Sequence, residues 1–329
     1  MSFAHSNISI FVTHLGCPNR CSFCNQRYIA GTTDMPTAET VSNAVNSAKN
    51  HNPKTTEIAF FGGSFTAIDR DYMLELLKSA YTYVLSGDVC GIRISTRPDA
   101  IDDEILTLLK KYGVTAIELG AQSMCDDVLT LNKRGHTAKD VESASVLIKK
   151  YGFSLGLQMM TGLYGDTVDN ALFTAEQFIK LKPDTVRIYP TIVLENTDLA
   201  DYYRQGVYKV MSLDDTVDLV CKLLKMFNDS GINVIRTGLH TIDEQSYVAG
   251  PWHPAFSELC QSKMYLETAL KKLKKQGKYI IYVKPNCISK MIGQKRTNIN
   301  KLNNMGYDCT VKPKDNLSEY EIEIKDVNE

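Results

Sequence analysis

The residues best suited to chemistry lie in one short stretch, His14-Leu-Gly-Cys17-Pro-Asn-Arg-Cys21-Ser-Phe-Cys24. The spacing Cys-x3-Cys-x2-Cys lets a single loop wrap three thiolates around one face of a cubane iron–sulfur cluster. Such clusters are usually held by four cysteines. Three leave one iron open, much as catalytic zinc sites keep a position for substrate. The amine and carboxylate of an amino acid could chelate that iron and set a sulfonium beside a one-electron donor. This is the arrangement needed to cleave S-adenosylmethionine into methionine and a 5′-deoxyadenosyl radical, with the protein orienting and shielding the cofactor. Two other readings use the same residues. With His14 the loop could be a Cys3His zinc site, and Cys21-x-x-Cys24 could be a redox dithiol. No second Cys-x2-Cys knuckle accompanies the first, and a dithiol needs no third cysteine, so the cluster leads. The remaining cysteines (Cys90, Cys125, Cys221, Cys260, Cys287 and Cys309) are scattered and read as buried small apolar residues.

Such a loop has to be presented by rigid elements. Short β-branched runs at Ile8–Val12, Glu57–Phe61, Gly91–Ser95, Ala116–Leu119, Leu155–Met160 and Thr185–Tyr189 alternate with helical patterns. The helical stretches are Ala38–Asn50, Arg70–Leu85, Asp102–Tyr112, Lys139–Tyr151 and Val168–Leu181. This alternation predicts βαβ units and a parallel sheet. Six units without a dinucleotide glycine fingerprint predict an α/β fold of the partial (β/α)6 TIM-like barrel type. In barrels the chemistry gathers on the loops after the strands. The cysteine loop follows the first strand, Gly62-Gly63-Ser64 the second, Thr96-Arg97-Pro98 the third and Gly120-Ala121-Gln122 the fourth. Arg97, Glu118, Gln122, Arg134, His136, Gln158 and Tyr189 are expected at or near that rim. A seventh run, Ile232–Ile235, is followed by a loop with His240, Trp252 and His253. A long helix, about Phe256–Lys275, then leads into a small α+β module, so the boundary is placed near Gly250: 1–250 for the barrel, 251–329 for the helix and module.

The chain has 329 residues, 43% hydrophobic and 23% charged, as in ordinary globular proteins. No apolar run approaches the roughly 20 residues a membrane span needs, and the N-terminus does not read as a signal peptide. No membrane association and a cytoplasmic location are therefore expected. The net charge of −1 conceals an asymmetry: Leu270–Lys314 holds twelve Lys or Arg and one acid, Asp308. The rest of the chain is left at −12, a split that suggests a polyanionic partner.

The cysteine motif, with aromatic Phe23 before its last member, resembles the signature of the radical S-adenosylmethionine superfamily. That resemblance implies that Phe23 lies against the adenine and that Gly62 and Gly63 expose backbone to the methionine amino group. Many members carry an acid where this chain has Ser64. Phe61-Gly62-Gly63-Ser64-Phe65, Ser95-Thr96-Arg97-Pro98-Asp99, Glu118-Leu119-Gly120-Ala121-Gln122-Ser123, Asn132-Lys133-Arg134-Gly135-His136-Thr137 and Arg187-Ile188-Tyr189-Pro190-Thr191 more narrowly resemble the radical domain of the Elongator catalytic subunit family. The match runs from about Ile8 to Leu239.

The narrower resemblance implies a [4Fe–4S] cluster held by Cys17, Cys21 and Cys24, a reducing partner of flavodoxin or ferredoxin type, and modification of the wobble uridine of transfer RNA. It implies that Ser64, Arg97, Glu118 and Gln122 contact S-adenosylmethionine or line the radical cavity. Gln122, Glu118 and Tyr189 are the candidate catalytic groups, Tyr189 as a proton or hydrogen-bond donor. Acetyl-coenzyme A, which the family uses through an additional domain, is left open, because the residues after Gly250 show no glycine-rich coenzyme A loop. Those residues resemble a KH module, whose loop between two helices clamps a nucleic-acid backbone. Gly293-Gln294-Lys295-Arg296 keeps the first glycine of the Gly-x-x-Gly loop and has arginine at the fourth position. Lys290, Gly293, Lys295, Arg296 and Lys301 are therefore the expected RNA-contacting set, mostly through phosphates. Two alternatives stay open: a radical enzyme acting on a small molecule such as a tetrapyrrole, and an RNA-binding protein with a structural metal. The oligomeric state is not legible.

Overall fold

The computed structural model describes residues 5–12, 17, 20–25, 35–48, 51–239 and 244–327. Its chain divides into two compact units, Met1–Ser212 with Met226–Trp252, and Leu213–Lys225 with His253–Glu329. Residues 213–225, which lie inside the first 250, thus go with the second unit.

The first unit is built on a parallel sheet of β1 (Ser6–Val12), β2 (Thr56–Gly62), β3 (Gly91–Thr96), β4 (Val114–Gln122), β5 (Ser154–Thr161), β6 (Thr185–Pro190) and β8 (Asn233–Thr237), in that order. The sheet therefore has seven strands rather than six, because the run at 232–235 joins it alongside β6. The crossover helices include α1 (Ala38–Ser47), α2 (Arg70–Ser86), α3 (Asp103–Lys111), α4 (Asp126–Leu131), α5 (Ala138–Lys150) and α6 (Val168–Leu181). Their starts are fixed locally: Thr37, Asp69, Asp102, Thr137 and Thr167 each accept a hydrogen bond from a first-turn backbone N–H. The short β7 (Val193–Leu194) pairs antiparallel with β9 (Tyr247–Ala249) beside α7 (Asp198–Arg204).

The strands bury both faces, one of them apolar. Ile92, Ile94, Ile117, Leu119, Leu155, Leu157, Val186 and Ile188 are buried on the face that alternates with the polar one. The other face is polar and curled. The Arg187 guanidinium on β6 lies 5.0 Å from the ring centre of Phe61 on β2. Four strand spacings of a flat sheet would separate those strands by about 19 Å. The sheet therefore closes partway into a half-barrel, and its concave face is lined by charges. Gly156 is needed there, since a Cβ would meet the Glu118 Cγ at 2.8 Å.

The second unit contains α9 (Phe256–Lys272) and a β-α-α-β-β module: β10 (Gly277–Val283), α10 (Ile288–Ile292), α11 (Thr297–Asn304), β11 (Tyr307–Pro313) and β12 (Ile322–Asp326). β10 is central, parallel to β11 and antiparallel to β12. Tyr265, Ile281, Val283, Met291 and Leu302 form its core. Part of α8 (Leu213–Asp229) belongs here, where the Cys221 Sγ donates to the Cys260 carbonyl at 3.3 Å. Cys221, Cys260, Cys287 and Cys309 are buried as expected, and Cys125 is half-buried. Cys90 is exposed instead, because it sits in the turn entering β3. Among the described residues no helix is long and apolar enough to cross a membrane.

Candidate active site at the strand ends

The cysteine loop leaves β1 and is tied down from a distance. Ser22, between two of the cysteines, donates from its backbone to the Asn132 carbonyl (3.1 Å) and from its hydroxyl to the Asn132 Oδ1 (2.7 Å). Asn132 is wholly buried after α4, and its amide donates to the carbonyls of Val128 and Tyr164, both at 2.8 Å. The Ser22 carbonyl accepts from Leu199 N at 2.8 Å. The loop is therefore clamped by a buried, satisfied amide.

None of Cys17, Cys21 and Cys24 is in a disulfide, and all three are partly accessible. Arg134 donates to the Cys21 Sγ at 3.1 Å and to the Gly120 carbonyl at 2.6 Å, so one guanidinium joins the cysteine loop to the end of β4. Burial, together with neighbouring Cys21, pushes the Cys17 thiol up, while Arg97, Arg134 and the Ser64 backbone N–H pull it down. Ligation needs thiolates, and these cations favour them. Among the described residues no three Cys, His, Asp or Glu side chains converge on a single ion. A cubane has no such need, because each cysteine binds a different iron. His14, the fourth ligand of the zinc alternative, lies outside the described residues, as does His240.

The glycine motif follows β2. Gly62 has φ +108°, and a Cβ there would meet the Val12 carbonyl oxygen at 2.8 Å. The Gly63 N–H donates to the same carbonyl at 2.7 Å, which fixes the turn against β1. Ser64 is 1% exposed, and its hydroxyl lies 2.9 Å from the Thr96 Oγ1 while accepting from Arg97 N at 3.2 Å. The Ser64 side chain thus braces the β2 and β3 loops, and only its backbone N–H reaches the cysteine loop. Arg97 is ion-paired with Asp99 and lies within electrostatic reach of Cys17 and Cys21. Phe23 packs against Val193, Leu199, Ala200 and Tyr208, with the Arg134 guanidinium 5.9 Å from its ring centre.

Glu118, expected to contact S-adenosylmethionine or line the radical cavity, is held in a buried ion network on the concave face. It is 1% exposed and receives Arg93 Nη1 (3.2 Å), Arg187 Nη2 (2.8 Å) and Gln158 Nε2 (2.9 Å), with Arg187 Nε also 2.7 Å from its Oε2. Both oxygens are occupied, so Glu118 anchors the lumen and does not face an open site. Arg93 continues the chain to Glu57 at 2.7 Å, and burial of Glu57 is outweighed by Arg93, Thr115 and His5, which hold its carboxyl below the usual range. Tyr189 hydrogen-bonds Arg187, and burial pushes its phenol up against the pull of that arginine.

Gln122, the other β4 residue expected at the cofactor or radical cavity, sits where the strand is distorted. β4 is irregular between Leu119 and Gln122, Gln122 sits at φ +67°, and its buried Oε1 has no hydrogen-bond partner. Strain of this kind gathers at ligand sites. Below it, His136 Nε2 lies 3.1 Å from the Ala121 carbonyl, so that nitrogen carries the proton. Burial, with Arg134 beside it, lowers its pKa to about 4. The unfolded chain, with an ordinary value of 6.5, then binds the proton first, so His136 stabilises the fold above pH 6.5 and loses that contribution toward pH 4. Between pH 7 and pH 4.5, urea unfolding of the wild type should lose about 1–3 kcal/mol more than His136→Gln. Parallel pH profiles for the two would show that the imidazole is not buried neutral.

In the second unit the loop expected to hold RNA is mostly open. Lys295 and Arg296 are exposed with φ of +51° and +62°, and Lys301 is exposed on α11. Gly293 is obligatory, since a Cβ would meet the Thr297 Oγ1 at 2.6 Å and Asn298 N at 2.9 Å. Lys290 departs from the expected set: it is half-buried and ion-paired with Glu319 at 2.8 Å. Lys314 is likewise paired with Glu323 at 2.5 Å. The acids following Lys314 thus neutralise part of the basic tract. Sequence reasoning named Arg134 and His136 only as rim residues and missed Asn132, although the Asn-Lys-Arg-Gly-His phrase contains all three.

Three cysteines outside any disulfide beside two guanidiniums, a turn closed to any Cβ and a glutamine at positive φ with an idle amide oxygen suit an iron–sulfur cluster and a polar cofactor. Comparison with known proteins agrees. The chain matches the model of the Radical SAM superfamily over residues 11–178 and that of the Radical_SAM C-terminal domain over 183–267. It is 31% identical to Elongator complex protein 3 of Dictyostelium discoideum over 196 residues, covering 54% of this chain and 35% of that protein. It is 27% identical to the tRNA uridine(34) acetyltransferase of Dehalococcoides mccartyi over 242 residues, covering 61% and 52%. The chain thus spans about a third to a half of these relatives. The solved structure of archaeal Elp3 from Methanocaldococcus infernus, lacking its N-terminus, superposes with a TM-score of 0.66 at 19% identity, covering 84% of this chain and 66% of that one. The chain belongs to the radical S-adenosylmethionine superfamily, with a [4Fe–4S] cluster and S-adenosylmethionine as its cofactors.

Proposed function

We propose that this radical S-adenosylmethionine enzyme modifies transfer RNA, at or near a wobble uridine. The observation that carries the reading is the joining of a radical half-barrel related to tRNA uridine(34) acetyltransferases with a second unit that presents an open cationic loop, Gly293–Arg296. When bound, the cluster supplies the electron that cleaves S-adenosylmethionine to a 5′-deoxyadenosyl radical. Cys17, Cys21 and Cys24 would hold the cluster, and Arg134 and Asn132 hold the loop that carries them. The Gly62–Gly63 backbone, Arg97 and the Gln122 amide bind the polar end of S-adenosylmethionine, with Phe23 closing the site. Tyr189 faces the substrate side, its hydroxyl kept protonated by burial. Glu118 acts by positioning Arg187. The KH-like module holds RNA phosphates through Lys295, Arg296 and Lys301, with contacts independent of sequence and sensitive to salt. A reduced flavodoxin or ferredoxin is the electron donor.

Anaerobic reconstitution should yield iron and sulfide, and dithionite should then release 5′-deoxyadenosine, abolished by Cys21→Ala. Wild type that binds no cluster overturns the cysteine assignment. In filter binding against bulk transfer RNA, Lys295→Glu/Arg296→Glu should lose at least about tenfold in affinity and flatten the salt dependence by about two phosphate contacts. Unchanged affinity and slope would leave the radical chemistry standing and direct it to a small molecule.

A further inference from the structure

Among the described residues, the concave face of the first unit carries one more cation than its carboxylates match. Glu57 and Glu118 are taken up by Arg93 and Arg187. Arg236 on β8 lies directly in register with Arg187 on β6, so two arginines occupy neighbouring strands. Among the described residues no carboxylate pairs with Arg236, and its buried Nε has no hydrogen-bond partner. The titratable groups that act on it are the Tyr189 phenol, which favours its charged form, and Arg187, which repels it. Burial lowers its pKa from the ordinary value against the opposing pull of Tyr189, with the Arg187 repulsion a smaller contribution in the same direction as burial. Like charges this close destabilise a fold unless an anion completes them.

We propose that Arg236, with the Arg187–Tyr189 pair beside it, forms an oxyanion subsite that takes a phosphate or carboxylate group of the substrate. The position argues for substrate over cofactor. Tyr189 and Arg236 lie near the C-terminal ends of β6 and β8, beyond Arg187 at the curled-over edge of the sheet that Arg187 brings against Phe61, whereas the cysteine loop and the glycine turn follow β1 and β2. A guanidinium with an idle donor suits an oxyanion, because its fork matches two oxygens at once. The assignment of this face to substrate rests on the functional reading above. The anion site itself does not.

The test uses the full chain without cofactor. Thermal unfolding is followed in sodium phosphate, sodium acetate and sodium chloride at matched ionic strength, for wild type, Arg236→Met and Arg236→Lys. Phosphate, acetate or both should raise the wild-type Tm over chloride by about 2–4 °C, the anion that acts naming the source. Arg236→Met should unfold higher than wild type in chloride, since it keeps the stem and removes the repulsion, and should lose the anion-dependent gain. Arg236→Lys should keep part of that gain. Titration with uridine 5′-monophosphate and with uridine gives a second readout. Wild type should prefer the phosphorylated form by about tenfold and Arg236→Met should not, if phosphate is the source. An anion gain equal in wild type and Arg236→Met, or no gain with either anion, overturns the subsite. Failure to form 5′-deoxyadenosine would instead strike the functional reading and leave this result untouched.

Discussion

Glu118→Gln is expected to lower folding stability by about 3–5 kcal/mol, the cost of breaking a buried ion pair by removing one partner. The carboxylate is 1% exposed and sits between the guanidiniums of Arg93 and Arg187, themselves 6% and 9% exposed. Glutamine keeps the shape and one acceptor, but it removes the charge and turns an N–H2 toward two cations. Arg93 retains Glu57, whereas Arg187 is left with Tyr189 and with Arg236 repelling it. The loss should therefore fall mainly on β6. Glu57→Gln makes the comparison: Arg93 keeps Glu118, so its cost should be smaller. Joint replacement, Glu118→Leu with Arg187→Met, should recover much of the stability, because apolar residues of similar volume need no desolvated partner. Urea unfolding of these variants checks the order. A loss of under about 1 kcal/mol for Glu118→Gln would mean that the buried arginines do not depend on this carboxylate.

What the sequence showed and what it hid divide along contact distance. The strands were legible because β-branched runs such as Ile92–Ser95 alternate with capped helices, and each signal lies within a few residues. The cysteine loop was legible because all three thiols fall within one short motif. The role of Glu118 was not: its partners lie 25, 40 and 69 residues away, and only the curl of the sheet brings them together. A charged residue in a strand reads the same whether it faces a ligand or a buried arginine. The clamp on Ser22 was hidden for the same reason, since Asn132 is 110 residues distant. Lys290 counted as part of a basic tract because the acid that neutralises it, Glu319, lies 29 residues later on the far side of β11 in sequence. The left-handed Gln122 had a weak signal in the adjacent Gly120-Ala121, where a strand must break its register to expose an amide.

The clamp also defines the largest expected effect on the cluster. Arg134→Gln should weaken retention of the reconstituted cluster by about 10–100-fold, as second-layer changes at metal sites do. Arg134 is 8% exposed, and its two donations join Cys21 to the end of β4 while its face covers Phe23. Glutamine is too short to bridge both acceptors, so the loop loses its tie to β4, although Asn132 still holds Ser22. The lost charge has a second, separable consequence. A cation beside a cluster ligand favours the reduced, more negative form, so its removal should lower the midpoint potential. For charges about 6 Å apart at an effective dielectric near 20, the interaction is about 3 kcal/mol, which corresponds to a shift on the order of 100 mV. Arg134→Lys separates the two effects, because it keeps the charge but not the fork: potential should stay near wild type while retention falls part of the way. Iron content after gel filtration reports retention, and a redox titration followed by electron paramagnetic resonance reports potential. If Arg134→Gln kept both, the guanidinium seen on Cys21 would be a contact without consequence for the cluster. If potential fell in Arg134→Lys as far as in the glutamine variant, geometry rather than charge would set it.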